Sequence, residues 1–490
     1  MQFLGMFRHV RTAHAQGLTK EMFVSLGQSA VSAHDVYAQG ALIVMAEGEM
    51  RNRNTLTRAL KLSHDASMSL ITARAYRMWG ADYPRHIEGN VVTAVIDRTE
   101  DRMILSADRA GAIGVYYAWR GRSVAFASNA DLLLKMGAAG RKIGREGVCE
   151  LFATGGFFTP GKTAFQDIRM LEGGCVLIAD ARGMRVKRYF SLISESLNNN
   201  NTPFGVSEYI DTLPMTEYAL FLSNGLSAKM ADALKKKGRA VLYHASGRSD
   251  GDAPGETETP VEVIAPRADG FTEALRETVT LTGFPGIGAK EGVLYPVMKE
   301  AFCLFPAALI GGEKAFFRES MHENNLLRFL KKDILRKIDA QGYLLDRFND
   351  LTDKLRIPLD GGEEQAERIL CAVNGAMQFS VRTRLIAGAA GGVIRSPLMD
   401  ERFLISELSA LWDMENAHPS KNDIPEECAL EIMEEVKSLL ESDDQPIFET
   451  VDPKHIRREL ESEHIDTDQL ARLIQINSFL YQFEAEVSLN

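Results

Sequence analysis

A layered α+β domain followed by an α/β, mostly helical domain is the fold class this sequence predicts, on three observations. Short runs of β-branched and aromatic residues fill the first 190 residues, four consecutive asparagines then interrupt the chain, and beyond them apolar residues recur at helical spacing. At 490 residues the chain exceeds one compact core and suits two or three domains.

The first domain is read over residues 1–193. Its expected strands are Ala41–Ala46, Val91–Ile96, Met103–Ala107, Gly114–Trp119 and Ser123–Ala127. A further hairpin runs from Cys175 to Ala179, turns at 180–183, and returns over Met184 to Phe190. Between the early strands, Ser67 to Trp79 has apolar positions three and four apart and predicts a helix. Strands first, with few helices to cover them, make a layered α+β unit.

The linker is placed at 194–206, where Asn198–Asn201 stand before Pro203 and have nothing to bury. The second domain follows over 207–490. Tyr218, Phe221, Leu222, Leu226, Met230, Ala233 and Leu234 mark one face of a long amphipathic helix ending at Gly238. Ala240–Ala245 and Val261–Ala265 read as strands around a Gly/Pro/acid loop, and from about Glu323 nearly everything reads as helix. No internal repeat is visible.

Composition sets limits on function. A hydrophobic share of 45% and a charged share of 25% are those of an ordinary globular chain. The formal net charge of −11 opposes a non-specific nucleic-acid surface. Five scattered cysteines without a C-x-x-C pair fit a reducing cytoplasm better than a disulfide framework or a zinc site. No signal peptide is read near Arg8 and Arg11, and the apolar stretch 293–312 is broken by Lys299, Glu300 and Pro306. A cytoplasmic protein without membrane or nucleic-acid partners is expected.

Several short segments share an order and spacing with a known family. Gly48-Glu-Met-Arg-Asn52, Asp108-Arg-Ala-Gly111 with Val115-Tyr-Tyr117, Phe126-Ala-Ser128, and Ile168-Arg-Met-Leu-Glu-Gly173 resemble the glutamine amidotransferase half of asparagine synthetases. Val393-Ile-Arg-Ser-Pro-Leu-Met-Asp400 resembles a segment of their synthetase half. The resemblance implies an αββα, Ntn-hydrolase-like first domain and an ATP-pyrophosphatase-like second one. It implies ATP and Mg²⁺ as cofactors.

In that family an N-terminal cysteine attacks the glutamine amide, with its own amine as base. Here the cysteine position falls on Leu4 or on Gln2, depending on the alignment, and the first cysteine is Cys149. Gln2 is also too bulky to favour removal of Met1. The oxyanion asparagine before Gly48 is Glu47, whose negative charge would repel a developing oxyanion. The carboxylate that grips the glutamine amine falls near Met68. The resemblance therefore implies an eroded glutaminase pocket at Gln2, Leu4, Glu47 and Gly48, without glutaminase activity.

The ATP half needs a strand, a Ser-Gly-Gly-x-Asp-Ser loop and a helix, so that backbone amides and the helix N-terminus meet phosphate and the aspartate meets magnesium. Two stretches compete. Leu222-Ser-Asn-Gly-Leu-Ser-Ala228 reads as the interior of a helix, whereas Ser246-Gly-Arg-Ser-Asp-Gly251 follows a strand. The second is preferred, with Ser246, Gly247 and Asp250 as the degenerate ATP and Mg²⁺ residues. Arg248 and Gly251 depart from the pattern, and Ile310-Gly-Gly-Glu313 is all that remains of the later Gly-Asp-Gly-x-Asp-Glu segment.

Other patterns have plainer readings. Gly156-Phe-Phe-Thr-Pro-Gly-Lys-Thr163 spells a P-loop without a strand before it or a clear helix after it. His34-Asp35 falls where the resembled family carries a substrate-shaping His-Arg-Gly and reads equally as a surface turn; Lys235–Lys237 read as a charged helix end, or as steering an anionic ligand, and Glu363, Glu364 and Glu367 as a solvated helix face rather than a catalytic pair. The histidines have no metal-ligand spacing. The expectation is a glutaminase-free pseudoenzyme with a peptide or protein partner or a homo-oligomeric assembly. The alternative is an ATP-dependent amide- or lactam-forming synthetase, similar to β-lactam synthetases or lasso-peptide cyclases. A third reading is an asparagine synthetase fed by ammonia.

Overall fold

A computed structural model of the chain describes residues 2–8, 22–26, 29–121, 123–156, 158–198, 203–214, 218–222, 226–237, 241–245, 270–311, 325–359, 361–411, 424–442 and 444–489. It divides into two compact units. The first comprises Met1–Gly140, Pro160–Glu195 and Met399–Glu401, and the second Arg141–Thr159, Ser196–Leu398 and Arg402–Asn490.

The first unit is built on β1 (Leu4–Arg8), β2 (Met22–Leu26), β3 (Ser29–Ala33), β4 (Val36–Gln39), β5 (Leu42–Met50), β6 (Gly89–Asp97), β7 (Arg102–Ser106), β8 (Tyr116–Arg120) and β9 (Ser123–Ala127). After β10 (Lys142–Ile143), which belongs to the second unit, come β11 (Ile168–Met170), β12 (Cys175–Asp180) and β13 (Gly183–Arg188). They form two six-stranded antiparallel sheets, ordered β11-β8-β9-β1-β3-β2 and β13-β12-β7-β6-β5-β4.

The second sheet is buried on both faces, and the alternation of its side chains shows how. Ile43, Met45, Val92, Ala94, Met103, Leu105 and Leu177 join Phe3, Phe7, Val124 and Phe126 of the first sheet in one core. Their neighbours Leu42, Val44, Val91, Val95, Ile104, Val176 and Ile178 point the other way, onto Ile71, Ala75 and Tyr76 of the helix Met68–Trp79. That helix begins where expected, with the Ser67 hydroxyl accepting from the Leu70 N–H at 3.2 Å. The short helix Ala130–Lys135 lies against β8 and β9, and its buried Leu133 and Leu134 stand apart from the inter-sheet core. The order of layers is helix, sheet, sheet, helix, so the αββα expectation holds.

The second unit contains a parallel four-stranded sheet, β15-β14-β16-β17, from β14 (Tyr218–Leu222), β15 (Val241–Ala245), β16 (Ala307–Ile310) and β17 (Val393–Arg395). β18 (Glu486–Val487) pairs with β10. The rest is largely helical, including Glu291–Leu304, the 27-residue helix Glu363–Ala389, Glu426–Leu440 and Thr467–Gln482.

One sequence expectation is overturned here. Residues 218–234 are not a single helix but the strand β14 followed by the helix Leu226–Lys236. The apolar positions do share a core, since Tyr218, Leu220, Met230, Ala233 and Leu234 pack together. They reach it from two elements, the strand with a period of two and the helix with its own. The expected strand Val261–Ala265 lies outside the described residues.

Because Phe126 is fully buried between the two sheets, Phe126→Ala should lower the stability of the first unit by about 4 kcal/mol. Urea unfolding followed by near-ultraviolet dichroism checks this, and a loss below about 1 kcal/mol would contradict the layered core.

Candidate functional site

In the first unit the pocket residues expected from the sequence lie on β1 (Leu4) and β5 (Glu47 and Gly48), with Gln2 just before β1. β5 pairs with β6 in unbroken register from Leu42 opposite Asp97 to Met50 opposite Gly89. Glu47 therefore faces the same way as Ile43 and Met45, towards the space between the sheets. It is 3% exposed, and its Oε1 accepts from the His34 N–H at 2.5 Å. Gly48 has a φ of +123°, and a Cβ there would lie 1.9 Å from the Asn90 carbonyl oxygen. Only glycine fits this crossing.

On β1 the alternation sends Phe3 and Leu4 to opposite faces of the sheet. Phe3 and Phe7 point into the inter-sheet core, while Leu4 pairs with Ala127 one position out of step and falls on the opposite face of its sheet. Gln2 is exposed. The backbone of Phe3 is held by Ser128, whose Oγ accepts from the Phe3 N–H at 3.2 Å and whose N–H donates to the Phe3 carbonyl at 2.9 Å. Glu47 and Leu4 are thus not presented to a common space.

The remaining segments shared with the family build turns. Asn52 fastens the 86–88 turn, accepting from the Glu88 N–H at 3.1 Å and donating to the His86 carbonyl at 2.8 Å. The Asp108 carboxylate, 1% exposed, accepts from the N–H groups of Ala112 (2.9 Å) and Ile113 (3.0 Å). A Cβ on Gly173 would stand 2.6 Å from the Gly111 nitrogen, so these two backbones touch. Within this unit Arg51 pairs with Glu401, and Arg109 lies 3.8 Å from the same carboxylate.

Sequence reasoning missed Asp35. It accepts from the Ser69 backbone N–H at 3.1 Å and from the Ser69 hydroxyl, at the N-terminus of the helix that Met68 opens. The surface-turn reading of His34-Asp35 saw the turn and not the carboxylate it delivers beside Met68. An acid in the two-residue turn between β3 and β4 carries no pattern that singles it out.

In the second unit the first of the two competing stretches is not the interior of a helix, and its residues 223–225 lie outside the described residues. Residues 222–228 do follow a strand and precede a helix: β14 ends at Leu222, and Leu226 opens the helix to Lys236. β14 is an inner strand flanked by β15 and β16, on the two sides where the chain order diverges, which is where open parallel sheets bind ligands. Ser227, fully buried at the helix start, lies 2.4 Å from where a Gly311 Cβ would stand at the end of β16. The Ser396 hydroxyl, beyond β17, donates to the Gly311 carbonyl at 3.4 Å. The preferred residues Ser246, Gly247 and Asp250 lie outside the described residues, although the strand β15 before them is present.

The P-loop spelling at 156–163 has the helix Arg145–Phe152 before it and the strand β11 after it. The buried Glu150 accepts from the Thr159 N–H at 2.6 Å and from the hydroxyls of Thr159 and Tyr343. Cys149 next to it is buried too, and burial, then the Glu150 charge, pushes its thiol up to about 12. Among the described residues no helix is long and apolar enough to cross a membrane.

Comparison with known proteins bears on the same regions. Residues 12–190 match the family model described as a glutamine amidotransferase domain. The glutamine-hydrolysing asparagine synthetase 3 of Bacillus subtilis (strain 168) is 24% identical over 224 residues, 42% of this chain. The match spans 36% of that relative's length. Among solved structures, the glutamine phosphoribosylpyrophosphate amidotransferase of B. subtilis aligns at 12% identity and a TM-score of 0.28, over 71% of this chain and 86% of that one. A glutamine aminotransferase class-II domain protein from Silicibacter pomeroyi aligns at 11% identity and 0.25, over 39% and 99%. At these scores neither likeness bears on function. Residues 12–190 thus match the glutamine amidotransferase domain family, and part of the chain is similar to a glutamine-hydrolysing asparagine synthetase.

Proposed function

We propose that this chain is an asparagine synthetase-like protein that does not split glutamine and works by binding a peptide or protein partner. The observation that carries this is Glu47, a buried carboxylate facing the inter-sheet space where the resemblance calls for an oxyanion donor. A tetrahedral intermediate would develop its charge against an existing one. Neither Gln2 nor Leu4 offers a nucleophile, and Leu4 lies on the wrong face of its strand for one. Cys149, with its thiol pushed up to about 12, is almost wholly protonated at neutral pH.

A second reading, an ATP-dependent amide- or lactam-forming synthetase without glutaminase, is favoured by the strand–loop–helix at 218–236. Its phosphate half fits: the N-terminus of an eleven-residue helix opens at the end of an inner parallel strand. Its metal half does not. Ser227 stands where the loop would carry the magnesium aspartate, and a neutral hydroxyl cannot replace that charge. In this reading Ser223, Asn224 and Gly225 take the role first assigned to Ser246, Gly247 and Asp250.

One measurement tests the loss of the glutaminase, and a second separates the two readings. Installing a thiol and an oxyanion donor, Leu4→Cys with Glu47→Asn, is expected to release no glutamate from glutamine above the buffer rate, because residue 4 faces away. Glutamate release by that variant would overturn the strand assignment. Incubation of the unmodified chain with ATP, Mg²⁺ and mixed carboxylates is expected to yield no AMP. AMP formation that is lost in Gly225→Val and kept in Asp250→Ala would establish the synthetase reading instead.

A further inference from the structure

Two arginines of the first unit converge on one carboxylate. Arg51 follows β5 directly, and its backbone N–H donates to the Glu88 carbonyl at 2.9 Å. Arg109 extends from the turn that Asp108 holds. Its Nη2 donates to the Arg85 carbonyl at 2.9 Å, and its guanidinium carbon lies 5.0 Å from the centre of the Phe190 ring. Backbone and ring contacts thus position both side chains independently of any anion.

The carboxylate that meets them is Glu401. Its Oε2 accepts from Arg51 Nη1 at 3.0 Å, its Oε1 accepts from Arg51 Nη2, and Arg109 Nη1 stands 3.8 Å from the same Oε1. Two parallel bonds from one guanidinium form a fork that a planar carboxylate fits. Glu88 and Asp400 each approach a single nitrogen of Arg51, at 3.4 and 3.7 Å. The Glu88 side chain is 42% exposed, whereas that of Glu401 is 3% exposed.

Glu401 sits there as a ligand would. Met399–Glu401 belong to the first unit, whereas Leu398 before them and Arg402 after them do not. Stability alone does not ask for an ion pair here, because well-packed apolar side chains of similar volume often serve as well as a buried pair or better. What the fork adds is selection. It accepts both oxygens of a carboxylate, and it disfavours a neutral amide, whose N–H groups would meet the N–H groups of Arg51. We propose that Arg51 and Arg109 form a carboxylate-binding site of the first unit, which the chain closes with its own Glu401. A tethered carboxylate has a high effective concentration, so Glu401 shuts out free carboxylates while it stays in place.

Glu401→Gly opens the site in the full chain, and propionate carries the atoms that were removed. With sodium chloride holding the ionic strength constant, the variant should unfold below the unmodified chain. It should show a saturable rise in Tm with propionate and none with propionamide. The unmodified chain should show no such rise, and adding Arg51→Gln should remove it from the variant. No saturable rise in Glu401→Gly overturns the proposal. So does an equal rise with propionamide, in the unmodified chain, or without Arg51. If Glu401→Gly does not fold in either salt, Glu401→Gln, which keeps the side chain's shape, decides. In its background Arg51→Gln should lower Tm by less than half of the loss it causes in the unmodified chain, and equal losses overturn the proposal.

Discussion

Strict alternation along β5, β6, β7 and β12 governs the first unit, because this sheet is buried on both faces. Each side chain there belongs either to the core shared with the other sheet or to the core under the helix Met68–Trp79. A one-residue slip would exchange the two sets, so the register is held tightly. That rigidity reaches the strand end. It puts Glu47 on the inter-sheet side and gives it the His34 N–H as a donor. The same rule on β1 sends Phe3 inward and Leu4 outward. The pocket's chemistry follows from strand parity as much as from residue type.

The second unit meets a different constraint. Parallel strands need crossovers, so β14 must be followed by a helix that returns along the sheet, and the turn between them opens at the strand's end. Close packing of Ser227 against the side-chain-free Gly311 fixes that helix start over β16. Packing alone therefore accounts for the strand and helix on either side of residues 223–225.

Much of the first unit was legible in the sequence. The hairpin strands and the helix from Ser67 are set by local alternation, spacing and a serine cap, and local signals survive folding. The shared segments were legible for a related reason: Asn52, Asp108, Gly111 and Gly173 are turn-building residues whose spacing the backbone dictates. The strand β14 was not legible. Tyr218, Phe221 and Leu222 fit a helical period when read together with Leu226 and Met230, and nothing local shows that Tyr218 and Leu220 border two parallel neighbours. That helical reading is why residues 223–227 are passed over in favour of 246–250 as the phosphate loop. Asp35 escaped because its role depends on a partner 34 residues away.

The central claim is that the glutamine amidotransferase-like domain, with Glu47 buried at its pocket, no longer hydrolyses glutamine. The most direct measurement supplies the purified full chain with glutamine labelled with ¹⁵N in the amide and follows free ammonium by nuclear magnetic resonance. The account predicts no ammonium beyond that of buffer, with or without ATP. Ammonium release that scales with protein concentration and disappears in Glu47→Ala would contradict it, and would make the buried carboxylate a catalytic group.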